Sequence, residues 1–153
     1  MKSISLLPEW ALPVALGIKT VECRTWKTDY RGELLICASS KKLDARIHGY
    51  ALATVSLDGI EPFTQEHLFD ALMFDDELPN KDSFAWLLSN ARLIEPFKVK
   101  GKLHLFETDD SLIKTLGEPT KDLVERYFKP LVYRGRDSVA DEYWTVIYEL
   151  LGW

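Results

Sequence analysis

Gly17-Ile18-Lys19-Thr20-Val21-Glu22-Cys23-Arg24-Thr25-Trp26 is the stretch around which this 153-residue chain is organised. Its glycine ends an apolar segment, and an alternating run follows that predicts a strand over 20–26. Alternation puts Glu22, Arg24 and Trp26 on one face and Val21, Cys23 and Thr25 on the other, apolar face. With Lys19 just ahead, an ammonium, a carboxylate, a guanidinium and an indole gather within a few residues, a set suited to an anionic or aromatic ligand. The plainer reading is a Glu22–Arg24 pair on a solvated strand, contributing about 0–1 kcal/mol.

Upstream, Leu6, Leu7, Trp10 and Val14 fall near helical spacing over residues 5–16. Pro8 suits a first helical turn. Pro13 would remove a hydrogen bond and crowd the preceding turn, so the spacing predicts a short, kinked or broken helix ending at Gly17. Downstream, 27–32 reads as a polar loop, and 33–39 as a strand apolar on both faces. Pairing of 20–26 with 33–39 as a hairpin would bring Lys41 and Lys42 near Lys19.

Further along, 49–57 is a third strand candidate and Asp58-Gly59 a turn. Residues 64–73 predict a helix with Thr64 as N-cap and His67 where a capping box carries an acid. An acidic loop over 74–82, including Asp75, Asp76 and Glu77, reads as solvated and not as a cation site. Strands follow over 84–94, with Phe84 and Trp86 as core, and over 102–108. Ile60-Glu61-Pro62-Phe63 recurs as Ile94-Glu95-Pro96-Phe97, two strands with similar proline exits and no longer repeat. In the tail, Asp110 or Ser111 caps a helix to Leu116, Thr120 caps a second that Pro130 ends, and 138–151 is a third. Tyr133-Arg134-Gly135-Arg136 is a basic linker.

The length fits one domain with a real core and an appended element. No apolar run reaches the roughly 20 residues of a membrane span, and the start lacks a secretory leader's apolar segment. Cys23 and Cys37 show no metal spacing, which predicts reduced, packed thiols in a cytoplasmic protein. The net charge of −5 argues against unspecific nucleic-acid binding. The charge is uneven, however: residues 19–48 hold seven basic against four acidic residues, and 58–82 hold eight acidic residues against Lys81 alone. A local basic cleft on an acidic protein is compatible with that distribution.

Gly17-x-Lys19-x-x-Glu22-x-Arg24 resembles the signature of the ASCH family, small domains with a PUA-like fold. Pro8-Glu9-Trp10-Ala11 resembles the family's N-terminal helix. Trp26, Tyr30-Arg31-Gly32 and Leu34–Lys41 resemble its next strand, and Ala85-Trp86-Leu87-Leu88 a later one. The resemblance implies an α+β fold: a bent mixed β sheet closing into a pseudo-barrel over residues 1–108, with peripheral helices. Residues 109–153 are then a C-terminal, helical extension packed on it.

The resemblance also implies RNA, nucleotide or nucleoside binding in the cleft beside the motif, with no cofactor. Lys19 would contact phosphate, or act as a base of lowered pKa. Glu22 would orient Lys19, accept a hydrogen bond from a base amine, or serve as acid or base. Arg24 would grip phosphate or hold Glu22. Trp26 would stack on a base or sit in the core. Tyr30 and Arg31 would line the mouth, and Ser39 and Lys41 would add a hydroxyl and a charge at a strand end. Some short ASCH-like proteins are amidohydrolases acting on N4-acetylcytidine. They carry threonine where this chain has Glu22, and a carboxylate cannot take that nucleophile role unchanged. A Lys19–Glu22 acid–base route to another amide, or to RNA cleavage, is the alternative function. Ser39 has no placed histidine, and His48, His67 and His104 are scattered. The tail's aromatic face, with Tyr127, Phe128, Trp144 and Trp153, is a candidate surface for a protein partner.

Overall fold

Two long strands, β-rich in sequence and bulged in structure, carry the sheet. In the computed structural model, which describes residues 1–74, 78, 79 and 82–153, these are Tyr50–Pro62 and Phe84–Lys98. In chain order the strands are β1 (Lys2–Leu6), β2 (Val21–Arg24), β3 (Gly32–Ala38), β4 (Tyr50–Pro62), β5 (Phe84–Lys98), β6 (Phe106–Glu107) and β7 (Thr115–Gly117). The sheet order is β2-β5-β4-β3-β1-β6, with β7 also on β5. Only β1–β3 is parallel; the other pairs are antiparallel.

The architecture is α+β, as the resemblance implied, but the sheet is open: among the described residues no pair closes it into a barrel. Its bend comes from the β4–β5 pair, whose register shifts at Ala51/Ala53, Thr54/Ser56 and Leu57/Gly59. The first two shifts put the extra residues on β5 and the third puts one on β4, and such irregularities turn the strand that carries them. The third corrects the Asp58-Gly59 turn: exposed Asp58 is the extra residue of a bulge inside β4, and the strand runs on to Pro62.

The expected hairpin of 20–26 with 33–39 does not form. β2 pairs with the first part of β5, Val21 opposite Leu87 and Glu22 opposite Trp86, whereas β3 lies between β1 and β4. β3 is buried on both faces as its apolar run predicts: Leu34 and Ile36 face the main core, Leu35 and Cys37 a smaller cluster with Ala51, Ile94 and Phe106.

Helix α1 (Pro8–Ala15) has proline in its first turn and tolerates Pro13, being short and unbroken. The segment ahead of it is not helical; β1 occupies it. The 64–73 helix is reduced to a 3₁₀ turn, Gln65–His67, and further turns, with Leu72 at φ 58°. The missing capping acid is replaced by His67, whose Nδ1 accepts from the Thr64 amide at 2.9 Å. Its Nε2–H then donates to Glu61 Oε1 at 2.6 Å. Asp75, Asp76 and Glu77 lie outside the described residues.

Past β5, the expected strand over 102–108 shortens to β6, because His104 stands at φ 59°. The expected 110–116 helix is a 3₁₀ turn, Asp110–Leu112, capped by Asp109 and followed by β7. Thr120 does cap: its Oγ1 accepts from the Leu123 amide at 3.2 Å. Helix α2 (Lys121–Leu123) runs on through a π turn, Val124–Phe128, and a 3₁₀ turn, Lys129–Leu131, that contains Pro130. Helix α3 (Ala140–Leu151) ends at Gly152 in a left-handed cap. Phe128 and Trp144 are buried in the main core with Leu6, Leu12, Leu52 and Trp86, while Tyr127 and Trp153 pack at its edge.

Asp44 fastens the Tyr133–Arg136 linker. Its Oδ2 accepts from the Val139 amide at 2.7 Å and its Oδ1 from the Gly135 amide. These backbone donors, Gly135 first, hold the carboxyl below its ordinary value of 3.8. The unfolded chain therefore binds the proton more tightly, so the contribution is complete above about pH 4 and is lost as pH falls through the lower folded value. Asp44→Ala is expected to speed proteolytic cleavage at 133–139 at pH 7 and to flatten this acid limb of the stability curve. An unchanged cleavage rate would mean that the tail is held elsewhere.

Candidate functional site

Pro13 and Gly17 place Lys19. The Pro13 carbonyl accepts both the Ile18 amide, at 3.0 Å, and the Lys19 amide, at 3.1 Å. Gly17, at φ 76°, makes the left-handed turn this requires. The chain then enters β2, with the Thr20 and Val21 amides bonded to the Asp70 carbonyl at 3.0 and 3.2 Å.

Lys19 is 3% exposed. Its Nζ donates to the Ala71 carbonyl at 2.7 Å and lies 4.8 Å from the centre of the Trp10 ring. Nζ is 3.8 Å from Glu22 Oε1, and Glu22 Oε2 is 3.9 Å from Arg24 Nη2. Glu22, 7% exposed, also accepts from the Cys23 amide at 2.9 Å. Burial pushes the Lys19 ammonium below its ordinary 10.5, and the Glu22 carboxylate only partly opposes that shift.

The alternation of β2 is as predicted, but neither face is solvated. Val21 is covered by Ala71 and Ala85. Glu22 lies opposite Trp86 on the side packed by α1. The Glu22–Arg24 pair is therefore not the exposed bridge of the plainer reading.

Lys19, Glu22 and Arg24 converge on a cavity of about 280 Å³, completed by Leu7, Trp10, Cys23 and Met73. Arg24 reaches out of it. Its Nη2 donates to the Ser5 carbonyl at 3.1 Å, and its Nε is buried without a partner among the described residues. It also lines a second depression, of about 400 Å³, with Ser39, Lys100 and Lys102. Ser39 Oγ is likewise buried and unpartnered.

The remaining candidates lie elsewhere. Trp26 stands edge-on to Trp86 at 4.7 Å and to His104 at 4.8 Å, half-buried against the core. The Tyr30 hydroxyl donates to the Glu33 carbonyl, and Arg31 to the carbonyls of Thr28 and Tyr30, both at 2.7 Å. Lys41 is exposed beyond β3 and lines neither depression. Burial raises both free thiols, Cys37 to about 12, so neither is a ready thiolate nucleophile at neutral pH.

Sequence reasoning missed Trp10, read only as a helix residue, and the lysines of Lys98-Val99-Lys100-Gly101-Lys102. Their signal was visible: three lysines at alternate positions beside a glycine. The space Gly101 leaves is needed, since a Cβ there would collide with Ser5 Oγ.

A family model, the ASCH domain, matches residues 4–98. No curated protein sequence matches the chain. Among solved structures, two single-residue mutants of an ASCH protein from Zymomonas mobilis superpose on it. The tyrosine-to-phenylalanine mutant does so with TM-score 0.57 and 19% identity over 74% of this chain and 98% of that one. The serine-to-alanine mutant gives 0.57 and 19% over 74% and 96%. Another structure of the ASCH protein from that organism gives 0.53 and 16% over 87% and 96%. At these identities the likeness is one of fold. Among the described residues no helix is long and apolar enough to cross a membrane.

Proposed function

This chain belongs to the ASCH domain family, and from that premise we propose that it binds a nucleotide or an RNA base in the cavity of Lys19, Glu22 and Arg24. One observation carries the reading: a buried ammonium and a buried carboxylate, 3.8 Å apart, face one cavity beside a guanidinium with an unpartnered Nε. A donor beside an acceptor matches the edge of a base that offers a carbonyl next to an N–H, as guanine and uracil do. Outside the cavity, Trp26 serves packing in this reading, and Tyr30 and Arg31 fix their own loop. Residues 109–153 form an extension that completes the sheet and core. A cytoplasmic setting fits the two free thiols.

Titration with a panel of nucleosides and nucleotides, including acetylated cytidine, tests the reading. Arg24→Ala is expected to weaken binding roughly tenfold to a hundredfold, the loss of a charge-assisted hydrogen bond. Unchanged affinity in that variant would remove Arg24 from the site.

A second reading is favoured by the lowered proton affinity of Lys19 beside Glu22. That pair is suited to general acid–base hydrolysis of an acylated nucleoside or of RNA. Turnover would then rise with pH as Lys19 loses its proton, at a value below 10.5. Glu22→Gln turning over as fast as the parent would exclude Glu22 from that chemistry.

A further inference from the structure

The cavity is not isolated. Arg24 is shared between it and the second depression, and Lys100 is shared between that depression and a third, a groove of about 740 Å³. The groove lies between the start of β4, the end of β5 and the turn after α2, and presents His48, Tyr50, Lys98, Val132 and Tyr133. Among the described residues no acidic side chain lines the second depression or the groove, on a chain of net charge −5. Lys98, Lys100 and Lys102 are exposed.

The groove walls are held by backbone. The Val99 amide bonds to the Gly49 carbonyl at 3.1 Å, the Tyr133 amide to the Arg46 carbonyl at 2.9 Å, and the Ala45 amide to the Tyr133 carbonyl at 2.8 Å. The rings of His48 and Tyr133 meet edge-to-face at 5.8 Å. Cations that follow a backbone, interleaved with aromatic rings that take bases, are what single strands require. A cavity with room for one base at the end of such a path excludes a paired duplex there.

We infer that the three depressions form one track for single-stranded RNA: a terminal or unpaired base in the Lys19 cavity, its phosphates over Arg24, Ser39, Lys102, Lys100 and Lys98, and the following bases against Tyr50 and Tyr133. The inference rests on the base-binding reading and deepens it, making the ligand a strand and not a free nucleoside. Most of the track beyond Arg24 is built by residues 98–102 and 130–133, at or past the end of the matched family domain.

The test measures binding of a nucleoside, a trinucleotide and a hexanucleotide of RNA, with the DNA hexanucleotide as a separate arm, by the full chain over a salt series. The RNA hexamer is expected to bind at least tenfold more tightly than the nucleoside, and more tightly than its DNA counterpart. In Lys98→Ala/Lys100→Ala/Lys102→Ala the salt slope for the hexamer falls by about 2, at about 0.7 for each phosphate contact on a single strand. In Tyr133→Ala the hexamer-to-nucleoside affinity ratio falls by about tenfold, one stacked base. A hexamer that binds no more tightly than a nucleoside, or an unchanged slope in the triple variant, overturns the track and leaves the base site standing. A DNA hexamer that binds as well as RNA overturns the assignment to RNA. If neither nucleoside nor oligomer binds, the base-site reading falls and the track with it.

Discussion

Lys19→Met is expected to abolish nucleotide binding, by at least about a hundredfold, while leaving the thermal midpoint unchanged or a few degrees higher. The two halves of this result have different origins. Binding is lost because the substitution removes the only ammonium that lines the cavity among the described residues, and with it the donor set beside Glu22. Two charge-assisted hydrogen bonds at about 1.5–3 kcal/mol each would account for the factor. Stability is kept because the ammonium is held against its desolvation, as the direction of its pKa shift states. Replacing both ions of a buried pair by apolar side chains is commonly neutral or stabilising by about 1–4 kcal/mol, whereas removing one costs about 3–5 kcal/mol where it strands the other, so the outcome turns on what Glu22 retains. Against that stands the loss of one hydrogen bond, to the Ala71 carbonyl at 2.7 Å. Glu22 keeps the Cys23 amide and the nearby Arg24 guanidinium.

The pH dependence has a definite sign. A lysine whose folded pKa lies below 10.5 binds its proton less tightly in the native state than in the unfolded chain. Native stability therefore rises with pH through the window between the folded value and 10.5, and Lys19→Met lacks that rise. Chemical denaturation at several pH values between 7 and 10.5 measures it. A midpoint lowered by more than about 8 °C, near 2–4 kcal/mol for a chain of this size, would make Lys19 a structural pin of the 65–72 turn and not a ligand group.

How much of this was legible in sequence depends on whether a feature was local. Gly17 as a helix stop, Pro8 at the helix start, Thr120 as a cap and the doubly apolar 33–39 strand are properties of a few neighbouring residues, and each is present. The convergence of Lys19, Glu22 and Arg24 follows from one strand's alternation, so it too could be read. What failed was non-local. β1 was absorbed into a helical pattern because its partner, β3, lies about thirty residues away and pairs in parallel. Asp58-Gly59 has the composition of a turn, yet β5 offers a partner on both sides of it and the strand continues through a bulge. The 64–73 helix gives way where the Ala71 carbonyl is taken by the Lys19 ammonium, Leu72 stands at φ 58°, and the Met73 amide reaches back five residues to the Leu68 carbonyl. Lys100 and Lys102 went unread as site residues because only the crossing of 99–105 past β1 brings them to Arg24.

The second large effect is expected at Trp86. It is fully buried, the largest such side chain in the protein, and stands on β5 opposite Glu22 of β2 and Ile60 of β4. Its ring meets Trp26 edge-on at 4.7 Å, and its Nε1–H donates to the Trp26 carbonyl at 3.2 Å. Trp86→Ala removes the packing, leaves that carbonyl unpaired and opens a void under the strand that carries the site. The expected loss is about 3–5 kcal/mol, a fall in midpoint of roughly 6–20 °C. Binding should weaken with it, since Glu22 is positioned across from the vacated ring. Trp26→Ala separates the two tryptophans: half-buried and edge-on to both Trp86 and His104, it should cost less stability than Trp86→Ala and leave nucleotide affinity within about twofold. Should Trp26→Ala instead remove binding while the fold melts as the parent does, the indole stacks on the ligand, and the base lies toward the Trp26–His104 edge and not in the Lys19 cavity.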